Sequence, residues 1–524
     1  MEVYIYKAKG KGGAIYDFSF NPYVDYEILK RTRNIESFTI LGKADVKRAK
    51  SIVQSVNSNV FIKRIIKDDA SIINKVFKKY GIKMELKRVF EDYVLPLKSD
   101  VEFVEGKIIG KVFTLYEIFD FFKDMDFSYL LDILQLLYCE RRIQIVPAFD
   151  DKNYCYFCKK YSCKECQFDF KQDDLLIYAA DNYNFSFKRG YAYKKIKLDK
   201  IKEDVARDIF NFIKSKKNNA ILFCAPHSFS IDIFYSSMME ILKNGGKILY
   251  ITSFHDVYKS LEVLKELFPE NKVCVINDKF EDFRDYDIVI SYKSRFIRFY
   301  KSFDFVILND LYKAFNKEKP INIAAKKACK DKAKFLIATV NYEGYKDLNY
   351  DLIYLPYVYG SYLIPEPRVE VERMIEEPFL TSLALDMIRW SIQDGAKTVI
   401  FVDKAYIKSI KNQIITNGIK RNYIEDGSDF LTFLKSDKSI YITDNFKISQ
   451  NMFENINVIV LNANNTVYNE EVLIYISAFS ALHRDKKLGE VLFISNYETE
   501  GISLARKLIR NLNKVAWERG YVRL

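Results

Sequence analysis

The hydrophobic pattern changes character partway along the chain. Past residue 219 it becomes a series of short apolar runs that do not alternate, each followed by a segment of helix length. The runs are A-I-L-F-C-A at 220–225, K-I-L-Y-I-T ending at Thr252, K-V-C-V-I ending at Ile276, D-I-V-I-S at 287–291, F-D-F-V-I-L at 303–308 and K-F-L-I-A-T ending at Thr339. A strand that is apolar at consecutive positions buries both faces, which predicts a parallel sheet flanked by helices. A helix over roughly 198–215 leads into the first strand. A second series begins with the helical stretch F-L-T-S-L-A-L-D-M-I-R-W-S-I. Its strands fall at 398–402, 439–443, 457–462 and 490–495, and a closing helix ends near Trp517.

Pro356, Pro365, Pro367 and Pro378 lie between the two series and read as a linker. Residues 1–150 are mixed. V-Y-I-Y, S-F-T-I-L and N-V-F-I-K read as short strands, and F-S-Y-L-L-D-I-L-Q-L-L-Y-C-E carries apolar residues at helical spacing. The expected organisation is a mixed α/β region (1–150), a cysteine segment and connector (151–197), one parallel-sheet lobe (198–355), a linker (356–378) and a second parallel-sheet lobe (379–524).

Cys155, Cys158, Cys163 and Cys166 follow the spacing C-x2-C-x4-C-x2-C. Two C-x2-C pairs complete the tetrahedral sulfur shell that zinc prefers, and a closed shell of this kind is structural. Lysines and an acid between the pairs keep the loop solvated, as suits a knuckle. Cys139, Cys224, Cys274 and Cys329 are scattered singly, which fits a reducing cytoplasm. No uncharged apolar run approaches the length of a membrane span, and the opening M-E-V-Y-I-Y-K-A-K-G lacks the apolar core of a cleavable signal. Hydrophobic residues make up 49% of the chain, enough to fill several cores and to exclude wholesale disorder. The net charge of +12 permits a polyanionic partner without requiring one.

From the cysteines to the C-terminus the chain resembles the ComFA family, late-competence superfamily 2 helicase-like proteins with a zinc module ahead of two RecA-like lobes. The resemblance rests on order and flanks. T-S-F-H-D-V at 252–257 stands where the family has T-P-R-V-D-V. S-Y-K-S-R-F-I-R-F-Y-K-S-F-D-F-V-I-L-N-D-L-Y-K-A-F stands where it has T-T-H-Q-L-L-R-F-Y and then D-E-V-D-A-F. I-A-T-V at 337–340 stands for T-A-T-P. The resemblance implies single-stranded DNA handling during natural transformation, ATP with magnesium, other competence proteins as partners and a place at the inner face of the membrane.

The catalytic positions of that family are not kept. A phosphate loop needs glycines for close backbone approach, a lysine on the phosphates and a hydroxyl on magnesium. The segment here is A-P-H-S-F-S-I-D-I-F, with Ser230 at the lysine position and Ile231 at the hydroxyl position. The acidic box reads Asn309-Asp310, and the two arginine positions of the second lobe are Phe479 and Leu482, with Arg484 nearby. G-A-K-T at 395–398 precedes a strand instead of following one, so its N–H groups do not open a helix. A degenerate motor is expected, which binds or scaffolds and does not hydrolyse, alone or beside an active paralogue. A divergent but active ATPase using Asp310 and Arg484 is the alternative, and a zinc-dependent nucleic-acid-binding scaffold outside competence is a third reading.

Residues 292–301 interleave cations and aromatics. Lys293, Arg295, Arg298 and Lys301 are candidate phosphate contacts for single-stranded DNA, with rings available to bases. The same pattern also describes a helix with Phe296, Ile297 and Tyr300 inward and the cations in solvent. His227, in the degenerate loop, is expected to be a hydrogen-bonded polar residue, and Cys224 a core residue.

Overall fold

The computed structural model describes the chain except residues 12, 63–68, 90, 151, 163–169, 182–195, 279–280, 293–295, 312–321, 346–348, 357–362, 374–376, 426–428, 447–454, 482–488 and 523–524. The chain opens with antiparallel strands β1 (Glu2–Gly10), β2 (Gly13–Ser19) and β3 (Ile35–Asp45), joined by the short β4 (Lys87–Arg88) in the order β2-β1-β3-β4. Helices Pro22–Arg33, Val46–Ile62 and Phe127–Cys139 pack on them around Val24, Ile52, Ile133 and Phe18. Residues 59–62 of the N-V-F-I-K stretch are helix and not strand, and Lys63 lies outside the described residues. Val46, Ala49, Ile52, Val53 and Val56 are all buried at helical spacing, and the helix they start runs through to Ile62.

A second small sheet consists of β5 (Lys111–Thr114), β6 (Ile143–Pro147) and, after the hairpin β7 (Tyr154–Cys155) and β8 (Lys160–Tyr161), β9 (Leu175–Ala179), in the order β5-β9-β6. Val112, Phe149, Phe157, Leu176 and Tyr178 share one core with Leu249, Phe303 and Phe335 of the lobe that follows. At this seam Gly110 accepts from the N–H of Tyr300 (2.7 Å) and has φ +76°. A Cβ there would come within 2.5 Å of the Ser302 hydroxyl, so only glycine allows so close an approach.

The first lobe is a parallel sheet of β10 (Asn219–Cys224), β11 (Ile248–Thr252), β12 (Val273–Val275), β13 (Ile288–Tyr292), β14 (Phe303–Asn309), β15 (Cys329–Thr339) and β16 (Asp351–Leu355). The order is β12-β13-β11-β14-β15-β10-β16, and every pairing is parallel. The second lobe contains β17 (Arg368–Val371), β18 (Lys397–Phe401), β19 (Ile440–Thr443), β20 (Ile456–Leu461) and β21 (Val491–Ser495), in the order β17-β21-β20-β18-β19, again all parallel. These are the two parallel-sheet lobes that the unalternated apolar runs predict. The proline-bearing segment is more than a connector, because Arg368–Val371 pairs with β21 as an edge strand of the second sheet. Its alternating charged residues suit an edge, and nothing in its short pattern distinguishes it from a loop.

The closing helix, Glu500–Glu518, is capped by Thr499 and ties the lobes together. Lys507 pairs with Glu343 (3.2 Å), Asn511 donates to the Tyr342 hydroxyl (3.1 Å), and Arg519, just past the helix, pairs with Asp208 (2.9 Å). Asn341 in turn donates to Glu470 of the second lobe (2.9 Å).

Candidate functional site

In open α/β sheets ligands sit beyond the carboxyl ends of the strands, where the strand order switches. In the first lobe the chain leaves β10 and resumes three places away at β11, so that crevice lies over β10, β14 and β11. The loop after β10 enters it. His227 has φ +65°, the left-handed conformation that a phosphate loop gives to glycine. Here the position carries an imidazole, and the ring is packed against the second lobe. It packs 4.6 Å from Tyr475 and stacks 5.6 Å from Phe479 at 28°, both on the second lobe. Phe479 stacks in turn on Phe401. Both ring nitrogens of His227 are buried and have no hydrogen-bond partner. Burial alone pushes the imidazole down to about 4. The expectation of a hydrogen-bonded loop histidine is therefore corrected, since aromatic packing between the lobes displaced the polar partners. Phe479 does meet the loop after β10, through His227. Leu482 and Arg484 lie outside the described residues.

Ser230 is extended and spends its hydroxyl on Asp232, at the start of a single 3₁₀ turn, Ile231–Phe234. The helix that follows, Tyr235–Lys243, begins without a side-chain cap. A cavity of about 520 Å³ lies beside Ser230, Ile231 and Asn309. Its charged lining is Lys197 and Lys259 against Asp232, Asp256 and Glu266, so it presents net negative charge to any phosphate. Asn309 donates to the hydroxyls of Tyr250 (3.3 Å) and Thr252 (3.4 Å). Asp310 is buried and accepts from the buried Tyr345 hydroxyl, whose own ionisation is pushed up by burial and by that carboxylate. Lys397 of the G-A-K-T stretch caps the carbonyls of Phe433, Ser436 and Lys438 at 2.7–2.9 Å, which is a structural use of its ammonium.

The described residues of the 292–301 segment, 292 and 296–301, do not form the solvated amphipathic helix of the simpler reading. Phe296–Arg298 is one 3₁₀ turn. Arg298 turns inward, pairs with Glu117 (2.8 Å) and lies 4.8 Å over the Phe170 ring, with only 11% of its side chain exposed. Lys301 pairs with Asp331 (2.7 Å). Lys293 and Arg295 lie outside the described residues.

Cys155 and Cys158 flank the β7–β8 turn. The Cys158 N–H points at Cys155 Sγ (3.5 Å), the Lys159 N–H bonds the Cys155 carbonyl (2.8 Å), and Lys159 has φ +59°. A backbone N–H aimed at a sulfur stabilises its thiolate form, which is compatible with one C-x2-C half of a four-sulfur shell. Cys163 and Cys166 lie outside the described residues, and among the described ones no three metal-ligating side chains converge.

Two features had no clear signal in the sequence. One is the interlobe stack, whose partners lie some 250 positions apart. The other is a buried polar network in the first region. There Asp25 accepts from Ser19, from Gln135 (3.1 Å) and from the Cys139 thiol (3.1 Å), and burial pushes its carboxyl up to about 7.

No protein-family model matches the chain, and no curated protein matches its sequence. Solved structures do align with it. S. cerevisiae Dbp5 bound to RNA and ADP BeF3 is 10% identical over 62% of this chain and 91% of that one, with a TM-score of 0.34. RecG bound to a three-way DNA junction is 12% identical over 62% and 47%, with a TM-score of 0.36. The E. coli DExH-box NTPase HrpB is 11% identical over 59% and 43%, with a TM-score of 0.39. At these scores the alignments carry no argument about this chain, and its parallel α/β class rests on the strand order and pairing.

Proposed function

We propose that the protein is a ComFA-like single-stranded DNA-handling protein of competence DNA uptake, built on a helicase-type pair of lobes that no longer hydrolyses ATP. The observation that carries the loss of hydrolysis is the His227–Tyr475–Phe479 stack. It fills the phosphate-loop turn with apolar side chains from the opposite lobe. The net negative lining beside Ser230 and Ile231 supports the same reading, because Lys197 and Lys259 are outnumbered by Asp232, Asp256 and Glu266 where a transferring phosphoryl group needs its charge offset. In this reading zinc is held by Cys155, Cys158, Cys163 and Cys166. The partners are single-stranded DNA, other competence proteins and an active paralogue, and the protein works at the cytoplasmic face of the membrane.

The test is phosphate release by purified protein with and without single-stranded DNA. No DNA-stimulated turnover is expected. The cavity of about 520 Å³ is large enough for a nucleotide and favours one competing reading, a divergent ATPase that uses Asp310. Turnover near one per second, a typical lower value for such enzymes, and abolished by Asp310→Ala, establishes that reading in place of the first.

A further inference from the structure

Among the described residues, a concave part of the structure away from the crevice between the lobes gathers unneutralised positive charge. It lies at the other end of the first lobe's strands. A cavity of about 510 Å³ opens where β10, β14 and β15 begin, at Asn219, Lys301 and Cys329–Phe335. Its far wall comes from Gln144 and Val146 of β6, Tyr178 of β9 and the cysteine turn.

Five lysines line it and one carboxylate, Asp331, opposes them. Lys301 is engaged by Asp331 and Lys330 by Asp304 (3.0 Å). Lys159 of the cysteine turn and Lys326 of the helix Asn322–Ala328 are exposed and have no carboxylate partner among the described residues. The crevice cavity, by contrast, sets three carboxylates against two lysines. Among the described residues the cavity at the amino ends of the strands is net positive and the crevice cavity net negative, so a polyanion is better matched to the former.

The second ingredient is aromatic. Tyr156, Tyr178 and Tyr300 line the same cavity, Tyr178 and Tyr300 meet edge to face at 5.0 Å, and the Lys50 ammonium lies 4.4 Å over the Tyr156 ring. Lysines that track phosphates beside rings that stack on bases are the two requirements for sequence-tolerant binding of single strands. Lys327 holds the parts together, with its ammonium 4.0 Å over the Phe157 ring of the cysteine turn and 5.1 Å over Tyr178. The metal turn is in this way docked on the lobe as a wall of the cavity.

We propose that this cavity is the strand grip of the protein. It takes one or two nucleotide units, with phosphates on Lys159 and Lys326 and a base among Tyr156, Tyr178 and Tyr300. The inference deepens the DNA-handling function and rests on it. It differs from the 292–301 patch, with which it shares Tyr300 and Lys301.

The experiment measures binding of a fluorescent oligodeoxythymidine, and of deoxythymidine 5′-monophosphate, across a salt series. The proteins are wild type, Lys159→Glu with Lys326→Glu, and a control pair of exposed second-lobe lysines, Lys408→Glu with Lys420→Glu. The cavity pair is expected to bind the oligonucleotide at least about tenfold more weakly. It should also flatten the salt slope by about 1.4, at about 0.7 per lost phosphate contact. The control pair should behave as wild type. Tyr156→Ser should weaken binding about fivefold or more with the slope unchanged, as loss of a stacking ring requires. Wild-type affinity and slope in the cavity pair, or equal loss in the control pair, overturns the grip and leaves DNA binding standing. If wild type binds only the mononucleotide, and the cavity pair loses it, the strand reading falls and a nucleotide site remains. If wild type binds neither probe, both fall.

Discussion

Acidification should unlock the two lobes through His227. Its ring nitrogens are buried, unpartnered and flanked by Tyr475 and Phe479, so the charged imidazolium has neither water nor an acceptor. An unfolded histidine titrates near about 6.5, and this one is pushed down to about 4. The folded value is the lower one, so between the two the unfolded chain binds more protons. Stability is then complete above about 6.5 and is lost as pH falls toward 4. At about 1.4 kcal/mol per pH unit the full loss is about 3.4 kcal/mol, of which about 2 kcal/mol is spent by pH 5. His227→Phe keeps a ring in the stack and removes the titrating atoms. The assay is denaturant unfolding from pH 4.5 to 7.5, followed by intrinsic fluorescence. Trp390 and Trp517, the only tryptophans, both belong to the second lobe and report on it. The two proteins should differ little at pH 7.5 beyond a constant offset, and the variant should gain about 2 kcal/mol on wild type by pH 5. Every other titrating group is common to both, so the difference isolates this one. Curves that stay parallel within about 0.5 kcal/mol refute the claim that the ring is buried unpaired between the lobes.

Three further outcomes follow from particular contacts. Elemental analysis of protein purified without chelators should find one zinc per chain, and Cys155→Ser should lower that content and loosen the β7–β8 turn; absence of metal in wild type removes the knuckle reading. Arg298→Ala takes the guanidinium from Glu117, which keeps the Thr114 N–H, and bares Phe170, so it should cost on the order of 3 kcal/mol of stability. Strand affinity and salt slope should stay unchanged in that variant, and a flattened slope at intact stability would restore Arg298 to the DNA-contact set. Asp25 has its carboxyl raised to about 7, so its native form holds a proton that the unfolded chain has released. Hydrogen-exchange protection of Phe127–Cys139 should therefore fall as pH rises from about 4 through 7, and Asp25→Asn should abolish that slope.

The sequence by itself determined the two parallel sheets. Runs such as A-I-L-F-C-A and N-V-I-V-L are apolar at consecutive positions, and only a strand covered on both faces buries all of them, as β10 and β20 do. It also set the expectation that Ser230, Ile231 and Asn309 take the lysine, hydroxyl and acidic positions of a ComFA-like motor, since residue types are read without coordinates. It misled at 59–62, where β-branched and aromatic residues outweighed a helix already committed by Val46, Ile52 and Val56. Arg298 was legible as a cation but not as a buried one, since its partner Glu117 lies 181 positions earlier. Only the tertiary structure decided that His227 would meet Tyr475 and Phe479, that Lys159 and Lys326 would face one cavity, and that Asp310 would be tied to Tyr345. Local pattern reports how each element partitions between water and core. Which distant side chains then share a space depends on strand order and on the docking of one sheet against another, and neither leaves a periodic trace along the chain.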